Sequence, residues 1–362
     1  MTYKILVLPG DGIGAEVMSS TIDVLKALEK KVGKQLFNFE YDLIGGCAYD
    51  KYGKPLADKT LQRAKEVDAV LLGAVGGYKW DKLPIQDRPE AGLLGIRKGM
   101  GLYANIRPAK IFPNLVNKSP LKSEYVSGMD VVIVRELIGG LYFGEPRGIG
   151  EKDGEPYGFN TMCYKKSEIE RVGKIAFELA QKRRKKVICV DKANILVTMK
   201  LWRDTITELS KNYKDVELAY SYIDAMSMEL VKRPAEFDVV VCENTFGDIL
   251  SDLASAIVGS IGLLPSASIG DINQKTGIRF ALYEPIHGSA PDIAGQNKAN
   301  PIGTILSAVM MLRYSFNMQK EADMMENAVE KFLKKYRTAD IWQEGFERLG
   351  TNEVAEKIAT YM

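Results

Sequence analysis

Two carboxylates four residues apart, Asp248 and Asp252, lie where the chain changes period. Val239, Val240 and Val241 form a β-branched run, and Ile249, Leu250, Leu253, Ala254 and Ile257 then recur at helical spacing. This pattern predicts a buried strand, a short loop broken at Glu243, Asn244 and Thr245 and turned at Gly247, and then a helix. Residues four apart on a helix share a face, one turn from each other. Two like charges so placed repel unless a cation sits between them. A hard ion such as Mg²⁺ is held by one or two carboxylates plus substrate oxygens. Asp248 alone also fits a plainer role as a helix cap. That role explains Asp252, flanked by apolar residues, less well.

Other chemistry-bearing residues fall beside predicted strand ends. Arg97 and Arg107 bracket a glycine-rich turn, and Arg135 follows the apolar run 131–134. A planar guanidinium suits bidentate binding of carboxylate, so three of them suit a substrate with two carboxylates. Leu93 and Leu94 precede Arg97 either as helix core or as an apolar wall beside that clamp. Lys192 stands just past the apolar run 187–190, between Asp191 and Asn194. Partial burial there would lower its proton affinity towards that of a base. Asp224 is a third carboxylate at a strand end.

The elements that must position these groups alternate. Residues 4–8 read as a strand running into Pro9, Gly10, Asp11, Gly12, Ile13 and Gly14, followed by a helix with Ile22, Leu25 and Leu28 on one face. The spacing is G-x-G-x-G, and no acidic residue ends a second strand about 20 residues on. The turn is therefore read as lying near a ligand, without the ordinary dinucleotide fingerprint. Strands at 37–44 and 69–73 enclose a helix at 56–67, and helices at 167–184 and 201–209 flank further strands. The alternation predicts an α/β fold with a mostly parallel sheet covered on both sides. Residues 136–164, rich in glycine, aromatics and charge, read as an arm of loop and short antiparallel strands. Residues 283–301 form a long loop carrying His287, Asp292 and Asn300, and such loops are often functional. Residues 304–362 read as amphipathic helix.

Composition narrows the function classes. The 362 residues carry a net charge of +2 with 27% charged side chains, which leaves no nucleic-acid footprint. No apolar run reaches the length of a membrane span, and the start has no signal-peptide layout, so a cytoplasmic protein is expected. Cys47, Cys163, Cys189 and Cys242 are far apart, as reduced thiols would be. With one histidine, His287, a histidine-based triad or a multi-histidine metal site is close to excluded.

Together, LPGDGIGAEV, GLLGIRK with ANIRP, VRELIGGLYFGEPRG, VDKANIL, SYIDAMSMEL, ENTFGDILSD, GLLPSAS and EPIHGSAPDIAGQNKANP form a specific set. Over essentially its full length the chain resembles the β-decarboxylating dehydrogenases, the family of isocitrate and isopropylmalate dehydrogenases. The resemblance implies oxidation of a 2-hydroxy acid by hydride transfer to NAD⁺, followed by loss of the 3-carboxylate as CO₂. Arg97, Arg107 and Arg135 would hold the malate carboxylates, and Asp224, Asp248 and Asp252 would hold Mg²⁺ or Mn²⁺. Lys192 would assist removal of the hydroxyl proton, and Tyr142 would protonate the enolate carbon. Glu284, His287, Gly288, Ser289, Ala290, Pro291, Asp292, Ile293 and Asn300 match the family's adenosine-binding loop. Asp292 would pair with the ribose hydroxyls and disfavour NADP.

Leu93 and Leu94, with GGLYFG around Tyr142, favour isopropylmalate, hence leucine biosynthesis. Isocitrate, homoisocitrate or tartrate are the alternatives. Leu253 and Ala225 depart from the usual isopropylmalate pattern. A non-catalytic regulatory subunit is the alternative of another class. The resemblance also implies two discontinuous α/β subdomains, 1–102 with 260–362 and 103–259, with a cleft between them and a dimerisation arm at about 137–160. A homodimer is implied, in which Lys192 and Asp224 reach the neighbouring subunit's site.

Overall fold

The computed structural model describes residues 2–362, and the chain divides into two compact α/β units. The first comprises the chain up to Leu102, Phe112–Pro120 and Val258–Met362, and the second Tyr103–Ile111 and Leu121–Ile257. The short piece Phe112–Pro120, which the sequence places with 103–259, clusters with the first unit.

In the first unit five strands lie in the order Phe37–Tyr41, Tyr3–Gly10, Ala69–Ala74, Arg279–Pro285, Pro265–Ile272. All neighbours are parallel except the last pair. Ile5, Leu6, Val7 and Leu8 are fully buried, as strands covered on both faces require. Helix Gly14–Val32 turns Val17, Val24, Leu25 and Leu28 inward. Helix Ile302–Tyr314 is buried throughout from Ile302 to Leu312, so it is a central helix and not part of an amphipathic stretch. The two helices after it, Gln319–Phe332 and Thr351–Ala359, do have one buried face each.

The second unit repeats the plan with strands in the order Ala104–Lys110, Asp130–Glu136, Val239–Cys242, Lys186–Asp191, Glu217–Tyr222. Here the first pair is antiparallel and the rest are parallel. The register sets Cys242 beside Arg135, and Arg135 opposite Asn105. A hairpin, Gly148–Lys152 with Glu155–Phe159, stands almost wholly exposed as the arm.

Three local expectations are corrected. The strand read at 37–44 ends at Tyr41. The loop read at 283–301 begins inside strand Arg279–Pro285 and contains a 3₁₀ turn, Pro291–Ile293. Gly247 makes no turn: helix Asn244–Val258 already includes it. A Cβ there would lie 2.6 Å from the Arg135 side chain, so the missing side chain is what lets the arginine pass the helix.

Candidate active site

In the second unit Arg135, Lys192, Asp224 and Asp248 sit at or just past the carboxyl ends of its parallel strands, where open α/β sheets bind ligands, while Arg107 comes from the antiparallel strand beside them. Asp248 lies one turn inside its helix, so it is not the cap. The first turn is served instead by Glu243, whose carboxylate accepts from the Phe246 N–H at 2.7 Å. Asp248 is the focus of the local charge. Its Oδ1 accepts from Arg135 Nη1 and, at 3.3 Å, from Arg107 Nη1. Its Oδ2 accepts from the Tyr142 hydroxyl at 3.1 Å.

The two arginines are buried and braced by neutral side chains. Arg135 gives Nε and Nη2 to Asn244 Oδ1 at 2.9 and 2.7 Å. Arg107 gives Nε to Asn105 at 2.5 Å and Nη1 to the Ser251 hydroxyl at 2.6 Å. Partial burial raises the Tyr142 phenol above its ordinary value, with the Asp248 charge adding to it, so the group is a protonated donor at neutral pH. Partial desolvation also raises the Asp252 carboxyl; the Arg107 guanidinium opposes this and the Asp248 charge reinforces it.

Lys192 and Asp224 form a separate pair, Nζ to Oδ1 at 2.7 Å, with Asp224 mostly exposed. Contact with the ammonium holds the Asp224 carboxyl below its usual value. The backbone before Lys192 is fixed by buried Asp191, which takes a two-pronged bond from Arg203 at 2.7 and 2.9 Å. The structure thus gathers Arg107, Arg135, Tyr142 and Asp248, with Asp252 one turn along the helix, and keeps Asp224 with Lys192. Among the described residues no three acidic, histidine or cysteine side chains converge as a metal site.

In the first unit, buried Arg97 pairs with buried Glu284, its Nη2 on Glu284 Oε1. Leu93 and Leu94, on the same helix face as Arg97, are half-buried, whereas Ile96 is fully buried. The Ile13 N–H donates to Ser289 C=O at 2.8 Å, tying the glycine-rich turn to the loop after strand Arg279–Pro285. On that loop His287 is buried, with Nδ1 2.9 Å from the Gly288 carbonyl and Nε2 without a protein partner. Burial lowers its pKa, so the imidazole is neutral.

Asp292 Oδ2 accepts from the Tyr78 hydroxyl at 3.1 Å. Asn300 has both ends of its amide occupied: Nδ2 gives to Asp340 at 3.0 Å, and Oδ1 takes the Ile302 N–H at 3.0 Å. These two bonds hold the loop to the start of helix Ile302–Tyr314 and to Asp340. Sequence reading missed Asn105, Asn244, Ser251 and Tyr78. Only Asn244, in the break before the helix, carried a visible signal.

Residues 4–358 match the sequence profile of the family described as isocitrate/isopropylmalate dehydrogenase. The chain belongs to that family. It is 55% identical to the 3-isopropylmalate dehydrogenase of Aquifex aeolicus, over 98% of this chain and 96% of the relative. It is 54% identical to the enzyme of that name from Carboxydothermus hydrogenoformans, over 99% and 94%. Among solved structures, isocitrate dehydrogenase from Methylococcus capsulatus superposes with a TM-score of 0.86 at 33% identity, covering 99% of both chains. A β-decarboxylating dehydrogenase from Thermococcus kodakarensis superposes at 0.78 with 35% identity, over 99% and 96%. The family places the chain among oxidoreductases that act on small molecules. No helix among the described residues is long and apolar enough to cross a membrane.

Proposed function

We propose that this chain catalyses the NAD⁺-dependent oxidative decarboxylation of 3-isopropylmalate to 4-methyl-2-oxopentanoate and CO₂, a step of leucine biosynthesis in the cytoplasm. The observation that carries the reading is the convergence on Asp248 of two buried guanidiniums and a protonated phenol. Support for the substrate comes from half-buried Leu93 and Leu94 beside Arg97, and from the relatives' names. Isocitrate offers a third carboxylate where isopropylmalate offers a branched alkyl group, and an apolar wall favours the latter.

Each group then has a task. Arg107 and Arg135, already pointing at an anion, take substrate carboxylates, with Arg97 as the third guanidinium. Lys192 assists removal of the hydroxyl proton, which it can accept only as the free amine, while C2 gives its hydride to the nicotinamide, leaving a 2-ketone. The C3–carboxylate bond breaks, its electron pair forms the enolate, and CO₂ departs. Tyr142 then delivers a proton to C3, and the enolate returns to the ketone.

Asp248 and Asp252 fit a divalent cation, Mg²⁺ or Mn²⁺. They present hard oxygen donors on adjacent turns, and the charge of one raises the pKa of the other, a repulsion that a cation offsets. When bound, the ion supplies Lewis-acid stabilisation of developing negative charge on oxygen. For the cofactor, the buried Nε2 of neutral His287 is an unused polar atom on this loop that suits adenine, and Asp292, which already takes the Tyr78 hydroxyl, suits a ribose hydroxyl.

A homodimer in which Lys192 and Asp224 serve the neighbouring copy is part of the proposal. It is supported by their separation from the Asp248 group and by the exposed apolar side chains of Ile149, Ile195, Val197, Met228 and Ile249 in the second unit. The test is NADH formation from 3-isopropylmalate, isocitrate, tartrate and malate, each with and without Mg²⁺. Metal-dependent turnover mainly of 3-isopropylmalate is expected. A preference for isocitrate removes the apolar-wall argument, and silence with all four favours a regulatory subunit.

A further inference from the structure

Two fully buried glutamates, Glu136 and Glu243, take no part in the chemistry above, and both face the turn that precedes Tyr142. The two oxygens of Glu136 accept from successive backbone groups, Oε1 from the Ile138 N–H at 3.1 Å and Oε2 from the Gly139 N–H at 2.8 Å. The Gly139 carbonyl accepts from Asn244 Nδ2 at 3.1 Å, on the same amide whose oxygen braces Arg135. Gly140 has φ +69°, and a Cβ there would lie 2.2 Å from the Tyr164 hydroxyl oxygen. That hydroxyl donates to Glu243 Oε2 at 3.0 Å and accepts from the Asn244 N–H at 3.1 Å. The turn is thus held from three sides. Two residues further on, the Tyr142 phenol meets Asp248.

We propose that Glu136 is a positioning residue for Tyr142: its carboxylate fastens the Gly139–Gly140 turn that presents the phenol, and does so fully only when ionised. The inference rests on the reading of Tyr142 as the proton donor. A carboxylate accepts both N–H bonds at full strength, whereas in a protonated carboxyl the hydroxyl oxygen is the weaker acceptor and its O–H must turn away from the second donor. The observed geometry is that of the carboxylate. Its surroundings nonetheless resist the charge. The nearest cation, Arg171 Nη2, is 4.0 Å away; Glu168 on the same helix repels it, and Tyr164 with Glu243 closes the other side. Burial pushes the Glu136 carboxyl up to about 7, which places the change of state within the working range of pH.

Glu136→Gln is a neutral side chain with one acceptor oxygen and so mimics the protonated acid. With 3-isopropylmalate, NAD⁺ and Mg²⁺, E136Q is expected to show a kcat about tenfold below the parent enzyme at pH 8.5, the worth of one hydrogen bond. The difference should shrink towards none at pH 6, and the Kd for NAD⁺ should be unchanged. A kcat ratio that stays constant across pH marks a merely structural side chain and overturns the proposal. A second readout needs neither substrate nor variant: the Gly139 amide resonance of the labelled protein should titrate near pH 7. An amide that stays still between pH 6 and 8.5 also overturns it. Tyr142→Phe separates the two readings. Full kcat in Y142F removes Tyr142 from the mechanism while leaving the amide titration intact.

Discussion

Replacing Arg135 by lysine tests the anion clamp while conserving its charge. Arg135 is 3% exposed and uses its whole fork: Nε and Nη2 on Asn244, and Nη1 on Asp248. A lysine ammonium is a point donor on a flexible stem and cannot span both partners. Asn244 Oδ1 would lose both of its Arg135 donors, and a buried acceptor left unsatisfied costs about 1–3 kcal/mol of stability. At the substrate, the loss of one charge-assisted bond from the guanidinium is worth about 2 kcal/mol, or roughly 30-fold in kcat/KM. Steady-state NADH formation measures kcat/KM, titration calorimetry the NAD⁺ Kd, and scanning calorimetry the Tm. R135K should lose about 30-fold in kcat/KM for 3-isopropylmalate, keep its NAD⁺ affinity, and melt a few degrees lower. A folded R135K within about threefold of the parent enzyme would show that Arg135 braces the helix of Asp248 and holds no substrate.

Lys192→Met should abolish turnover and leave NAD⁺ binding nearly unchanged by calorimetry; a near-normal rate removes the lysine from proton transfer. Leu93→Ser should raise the KM for 3-isopropylmalate about tenfold, since roughly 1–2 kcal/mol of apolar contact is lost. Unchanged discrimination among the malates would return that leucine to ordinary packing. Glu136 also predicts a pH dependence of stability. Its carboxyl lies near 7 when folded, against an ordinary 4.5. Between those values the native chain holds a proton that the unfolded chain has released, so stability falls as pH rises through that window, by about 3 kcal/mol. Denaturant unfolding at several pH values should show E136Q lacking this component, and parallel pH profiles for the two proteins would contradict the assignment.

The chemistry was more legible than its framing. Val239 to Cys242 and the helix after it follow from a period change in sequence, so Asp248 and Asp252 could be placed on one face before any coordinates. The same reasoning misjudged Gly247, because its lack of a side chain serves Arg135, 112 residues earlier in the chain, and local pattern carries no sign of that contact. Strands Pro265–Ile272 and Arg279–Pro285 were missed for a related reason. Their antiparallel pairing sets Pro265 opposite Pro285 and is interrupted between Ile269 and Ile272, so proline and glycine content hid them. Asn105 and Asn244 matter only through the arginines they brace, Arg107 two residues along the same strand and Arg135 on a strand 109 residues earlier than Asn244. Glu243 shows the converse, a charged residue read as a loop breaker that in fact serves the first turn of its helix.

The most direct test of the central claim is the stoichiometry of a single reaction mixture. With purified chain, 3-isopropylmalate, NAD⁺ and Mg²⁺, NADH and CO₂ should appear in equal amounts, and both should vanish when a chelator removes the metal. NADH without CO₂ would contradict a decarboxylating enzyme, and neither product would contradict the proposed reaction altogether.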